Sequence, residues 1–260
     1  MELLLLSNSS SDAGYLVHAH EAIRELAGGR TRACFLPFAG VTRDWDSYEA
    51  LVRDALAPAG IAAQSPHRLS DADCVRAVAA AELIVIGGGN TFRLLQCLRE
   101  RGLLPVIARQ VAAGAARYIG WSAGTNVACP TIRTTNDMPV ADPGGLDALG
   151  LVPFQINPHY FNLVVPGFRG ETRDQRLAEF TVLQPQTPVL GLPEGNWVRV
   201  AGDRMEMGGA HRARWFLGQQ IVDVAPGGIV SAGLCRCHLT HRHSVTQARN
   251  PKQDVHQAGD

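Results

Sequence analysis

The strongest constraint on the fold is an alternation in the first half of the chain. Short runs of unbroken apolar residues, such as "LLLL" at Leu3–Leu6 and "LIVI" at Leu83–Ile86, are separated by longer amphipathic stretches. The runs have the length of buried strands, and they fall at Glu2–Leu6, Thr31–Pro37, Ile61–Ala63, Leu83–Ile86 and Arg117–Gly120. The stretches between them carry helical spacing. Within Tyr15–Gly28, Leu16, Ala19, Ile23 and Leu26 recur near a period of 3.6 and glycines follow. Trp45–Gly60, Ser70–Ala81 and Thr91–Gly102 behave alike, with Ser70 and Thr91 placed as N-terminal caps. Strands alternating with helices predict an α/β fold with a mostly parallel sheet covered on both faces. In such a sheet ligands bind beyond the carboxyl ends of the strands, so chemistry is sought there.

The second half differs. Pro188–Gly218 reads as short strands separated by glycine turns, which predicts a small antiparallel C-terminal extension or hairpin layer, not a second domain. The expected organisation is one α/β domain over residues 1–232 and a flexible tail over 233–260. With 260 residues, 46% of them apolar, the chain can bury a sizeable core. Its formal net charge is zero, which points away from nucleic acid and charged membrane surfaces. No apolar run reaches the roughly 18–20 residues of a membrane span. "MELLLLSNSSS" has an acidic start and no cleavage-site pattern, so it reads as a first strand, not a signal peptide. Cys34, Cys74, Cys97 and Cys129 have no framework spacing and read as reduced thiols of a cytoplasmic protein. The tail carries Cys235, Cys237, His238, His241 and His243, a density of metal-binding side chains. Their spacing fits no structural zinc pattern, so no metal or other cofactor is expected.

Five segments after strands carry candidate chemistry. Gly120-Trp121-Ser122-Ala123-Gly124 has the form of a nucleophile elbow, in which a tight strand-to-helix turn lifts the Ser122 hydroxyl above the sheet. The Ala123 amide would then be half of an oxyanion hole; a plain glycine-serine turn is the alternative. Gly87-Gly88-Gly89-Asn90 follows "ELIVI" and exposes backbone amides at a helix start, so Gly88 or Gly89 can supply the other half. Neither phosphate-loop pattern, G-x-G-x-x-G nor G-x-x-x-x-G-K-[ST], is matched there. His159 in "INPHYFN" is placed to act as a base, with His67 and His211 as competitors; His18 and His20 sit inside a helical pattern. Glu194 in "LPEGNW" lies on a rigid turn and can orient an imidazole. "CPTIRTTNDMP" supplies Asp137, a second candidate acid, and Arg133, a candidate carboxylate binder. "GETRDQR" adds Arg173 and Arg176, which alternatively pair with Glu171 and Asp174 on a helix surface.

Taken together, "MELLLLSNS", "PFAGVT", "GGGNTF", "GWSAG", "CPTIRTTNDMP", "INPH", "GETRDQR" and "GLPEGNW" resemble the peptidase E family of α-aspartyl dipeptidases, from Met1 to about Val224. The resemblance implies a flavodoxin-like α/β fold related to class I glutamine amidotransferases, with serine in place of cysteine. It implies Ser122 as nucleophile, His159 as base and Glu194 as third member, with Asp137 as alternative acid or substrate-binding residue. The implied substrate is a small peptide, Asp-Xaa, bound through Arg173 or Arg133 at its side chain and Asp137 or Glu194 at its amine, with Asn90 nearby. A monomer or homodimer is expected. The other readings are a cyanophycinase-like β-aspartyl hydrolase, an α/β-hydrolase esterase using His211, and a non-catalytic binding protein on the same scaffold.

Overall fold

The computed structural model describes residues 1–163, 167 and 169–231. The chain begins with β1 (Glu2–Leu6), a minimal hairpin of β2 (Ser10–Ser11) and β3 (Gly14–Tyr15), and α1 (His20–Ala27). The alternating half continues through β4 (Arg32–Leu36), α2 (Trp45–Leu56), β5 (Ala62–Gln64), α3 (Asp71–Ala79) and β6 (Leu83–Ile86). It ends with α4 (Thr91–Glu100), α5 (Leu104–Ala112), β7 (Arg117–Trp121) and α6 (Ala123–Ala128). After a long connection come β8 (Gln155–Asn157), α7 (Arg173–Leu183) and β9 (Val189–Gly191). The last strands are β10 (Trp197–Ala201), β11 (Arg204–Gly208), β12 (Ala213–Leu217), β13 (Gln220–Val224) and β14 (Ile229–Ser231).

The main sheet has eight strands in the order β14-β11-β10-β1-β7-β6-β4-β5. Strands β1, β7, β6, β4 and β5 run parallel, as the alternation predicts. Strands β10, β11 and β14 extend it antiparallel. The unbroken apolar runs have a direct physical cause. Leu3 and Leu5 of β1 enter one core with Ile84 and Ile86, while Leu4 and Leu6 enter the opposite core with Leu83 and Val85. All eight side chains are fully buried, each worth roughly 1.5–3 kcal/mol relative to exposure.

The C-terminal expectation is met in two parts: the antiparallel extension, and a separate four-stranded sheet in the order β13-β12-β9-β8. Within that second sheet β8 and β9 are parallel, linked through α7. Two local expectations are corrected. The helical pattern from Tyr15 becomes a true α-helix only at His20, because Leu16 is left-handed (φ 61°) and fully buried, with its N–H on Ser9 O at 2.6 Å. The α4 cap is Asn90, whose Oδ1 accepts from Arg93 N at 3.0 Å, and Thr91 is already helical; Ser70 caps α3. The spacing also missed α5, which begins with Leu104-Pro105, proline being tolerated in a first turn. Among the described residues no helix is long and apolar enough to cross a membrane. The segment 233–260, with its Cys/His cluster, lies outside the described residues.

Candidate active site

Four strands of the main sheet deliver residues to one edge. Ser122 follows β7, Gly87–Asn90 follow β6, the loop 37–44 follows β4, and Ser7 and Asn8 follow β1. Ser122 has φ 51° and ψ −110°, outside the regions open to most L-residues, at the junction of β7 and α6. Such strain persists only where the surroundings enforce it. Here Ser122 N donates to Leu6 O at 3.2 Å and its carbonyl accepts from Asn126 N at 2.9 Å. Gly124 must be glycine: a Cβ would lie 2.2 Å from Ile86 O, so the residue lets α6 approach β6. Thr125 Oγ1 donates to Leu6 O at 2.7 Å, fixing the turn from below.

His159 arrives from the second sheet. In the β8–β9 pairing Asn157 lies opposite Gly191, and the register continues past the strands as Leu192 N donates to Asn157 O and Tyr160 N to Leu192 O, both at 3.0 Å. That pairing brings His159 beside Glu194. His159 Nδ1 is 2.6 Å from Glu194 Oε1, and His159 Nε2 is 2.9 Å from Ser122 Oγ. A carboxylate only accepts, so the proton sits on Nδ1 and Nε2 is free to accept from the serine hydroxyl. His159 is itself left-handed, with φ 53°. Only three non-glycine residues among those described have positive φ, and two of them are Ser122 and His159.

The two sheets are fastened at this point by residues the sequence reading passed over. Ser7 Oγ donates to Leu192 O and accepts from His159 N, both at 2.8 Å. Asn8 Oδ1 accepts from Gly195 N at 2.7 Å. One short segment after β1 thus clamps the loops of both His159 and Glu194. Its signal was available: "SN" directly follows the predicted first strand.

The amides of Gly88 and Gly89 donate to no acceptor among the described residues, and Ala123 is the first residue of α6, where N–H groups lie outside the helix's own ladder. Gly89 has φ +134°, and a Cβ there would lie 2.3 Å from Ala39 O. The loop therefore packs its backbone directly on the β4–α2 loop, where Asn90 N donates to Ala39 O at 2.8 Å.

Asp137 does not reach His159. Its Oδ2 accepts from Thr91 N at 2.7 Å and from the hydroxyls of Thr91 and Thr135, which anchors the N-terminus of α4. Since Glu194 occupies Nδ1, Asp137 is not the acid that orients the imidazole. Its Oδ1 makes no hydrogen bond among the described residues. Asn90 lines the cavity beside Ser122, but its side chain is engaged at both ends, capping α4 and donating to Met138 O at 2.8 Å. Arg133 is exposed and outside that cavity.

Arg173 also lies outside that cavity but is half-buried. Its Nη1 donates to Asn157 Oδ1 at 3.3 Å, and its guanidinium lies 5.4 Å from the centre of the Phe161 ring. No carboxylate pairs with it among the described residues, and burial lowers its pKa. Asp174 does not serve as its partner, being held by Tyr160, Asn162 and Arg214, while Arg176 pairs with Glu171 at 3.7 Å. A half-buried cation without a counter-charge, bonded to Asn157 two positions before His159, favours an incoming anion. The two competing histidines stand outside the cavity. His67 bonds Asp46 at 2.7 Å and Ser65 at 2.8 Å, and His211 is exposed with its backbone held by Asn196. The esterase arrangement through His211 is therefore absent.

Comparison with known proteins shows the family. A family model described as Peptidase family S51 matches residues 3–208. The chain is 52% identical over 229 residues to a peptidase E of Citrobacter koseri and 50% identical over 229 residues to one of Salmonella newport. Each alignment covers 87% of this chain and 99% of the relative. The crystal structure of a peptidase from an acI-B1 actinobacterium superposes with a TM-score of 0.65 at 17% identity, over 88% of this chain and 96% of that one, which shows a shared fold.

Proposed function

The chain belongs to peptidase family S51, and we propose that within it this chain is an α-aspartyl dipeptidase that hydrolyses Asp-Xaa through an acyl-enzyme on Ser122. The observation that carries the residue roles is the continuous hydrogen-bonded line from Ser122 Oγ through His159 to Glu194, at 2.9 and 2.6 Å. His159 Nε2 takes the serine proton as Oγ attacks the aspartyl carbonyl carbon. The developing oxyanion is held by the amides of Ala123 and of Gly89 or Gly88; one such donor typically contributes about 2.7–4 kcal/mol to lowering the barrier. The His159 imidazolium, oriented by Glu194, gives its proton to the leaving amine. A water deprotonated by the same nitrogen then attacks the ester and releases aspartate.

Substrate selection is assigned by charge. Arg173 takes the aspartyl side-chain carboxylate, and Asp137 Oδ1 accepts from the substrate's free ammonium. The test is a panel of Asp-Leu, Asn-Leu, Glu-Leu and β-linked Asp-Leu with the wild type and Ser122→Ala. Hydrolysis of α-linked Asp-Leu that disappears in Ser122→Ala supports the reading. Preference for the β-linked peptide would instead favour a cyanophycinase-like activity, and inertness of the folded wild type a binding role.

A further inference from the structure

The cavity beside Ser122 and His159 encloses about 450 Å³, and its lining includes a cation that the proposed function does not use. Arg43 lies on the loop between β4 and α2, with its guanidinium carbon 5.2 Å from the centre of the Tyr48 ring. Its charge acts on the hydroxyls of both Tyr15 and Tyr48, opposing the upward pKa shift that burial imposes on them. Those hydroxyls are 3.2 Å apart, and Ser9 stands beside Tyr15 in the same lining. No acidic side chain pairs with Arg43 among the described residues. The loop that carries it is fixed: Trp45 Nε1 donates to Gly40 O at 3.2 Å, and Asp44 caps α2 by accepting from Ser47 N at 2.8 Å. Tyr15 Oη donates to Tyr48 Oη and Tyr48 Oη to Gly88 O at 3.1 Å, so these protons are engaged and the Arg43 guanidinium is the group left to meet a carboxylate. Arg173 does not line this cavity.

An Asp-Xaa dipeptide carries two carboxylates, one on the aspartyl side chain and one at its C-terminus. With Arg173 assigned to the first, we propose that Arg43 binds the free C-terminal carboxylate of the leaving residue. This selects dipeptides, because a longer peptide or an amide places an uncharged group against the arginine. The inference rests on the Asp-Xaa reading. It is tested by comparing Asp-Leu with Asp-Leu-amide in the wild type, Arg43→Gln and Arg43→Lys. Arg43 is exposed, so the variants should fold as the wild type does. The wild type should prefer the free acid by about tenfold or more in kcat/KM, the scale of one charge-assisted contact. Arg43→Gln should erase that preference by raising KM for Asp-Leu more than for Asp-Leu-amide, and Arg43→Lys should restore part of it. An unchanged acid-to-amide ratio in Arg43→Gln overturns the proposal. So does a collapse of the Asp-Leu to Asn-Leu ratio, which would make Arg43 the reader of the aspartyl side chain. The same acid-to-amide ratio, measured by calorimetric binding to Ser122→Ala with and without Arg43→Gln, decides the point even if the wild type hydrolyses neither peptide.

Discussion

The two acids near the site should respond to mutation in opposite ways from what their names as triad candidates suggest. Glu194 touches His159, but its side chain is 65% exposed, so water can replace it as acceptor at Nδ1. Two unit charges about 4 Å apart interact by about 1 kcal/mol in water and about 4 kcal/mol at an effective dielectric of 20. At this exposure the lower end applies, about 1–2 kcal/mol, or roughly 5–30-fold in kcat. A buried triad aspartate, by contrast, is worth about 10⁴. Asp137 is half-buried and takes three donors on one oxygen at the start of α4, immediately after the Gly88–Asn90 loop. Hydrogen bonds to a charged group contribute about 1.5–3 kcal/mol each and are not additive, so Asp137→Ala should cost about 2–4 kcal/mol of stability. That corresponds to a fall in Tm of roughly 5–15 °C for a domain of this size. Its kcat/KM should fall by about 10²-fold or more, because the oxyanion loop loses its anchor and the substrate amine its acceptor. Glu194→Gln should stay within about 2 °C of the wild-type Tm, as expected of a surface change. Steady-state kinetics on Asp-Leu and thermal unfolding of both variants give the comparison. The reasoning is refuted if Glu194→Gln loses about 10³-fold or more while Asp137→Ala keeps wild-type Tm and activity.

Three further outcomes are expected. Gly89→Ala should lower kcat by about 10²–10³ with a smaller change in KM, because its Cβ is driven into Ala39 O and displaces a donor from the oxyanion; wild-type kcat in the folded variant would remove Gly89 from that role. Arg173→Gln should raise KM for Asp-Leu and narrow the gap to Asn-Leu, since the charge that separates the two substrates is gone; an unchanged ratio would exclude Arg173 as the aspartate reader. Burial pushes the Cys34 and Cys129 thiols up to about 12 and raises those of Cys74 and Cys97. Only the thiolate reacts, so at pH 8 iodoacetamide should spare all four in the folded protein and label them in urea, as read by peptide mass spectrometry. Rapid labelling of Cys34 in the native state would contradict that.

The parallel sheet was legible because its cause is local. A strand covered on both faces must be apolar on both, and "LLLL" and "LIVI" state that outright. The elbow was legible for a similar reason: Gly124 approaches Ile86 too closely to bear a side chain, so the spacing of the glycines records the packing. Short-range pattern erred where a long-range contact decided the backbone, as at Leu16, whose burial cuts the expected helix short at its start.

The sequence by itself determined the fold class, and it proposed the residue types of a nucleophile, a base and an acid and the strand ends at which they stand. It left open which acid faces the histidine, because Asp137 and Glu194 are separated from His159 by 22 and 35 positions and no pattern encodes that distance. The tertiary structure decided it through the parallel pairing of β8 with β9, which carries His159 and Glu194 to the same edge and leaves Asp137 at the foot of α4. It also decided that Ser7 and Asn8 fasten that edge to the nucleophile's sheet, and that Arg43 faces the cavity from a loop far away in the chain. Each of these depends on where separate segments meet once both cores are packed, and only the folded chain brings them together.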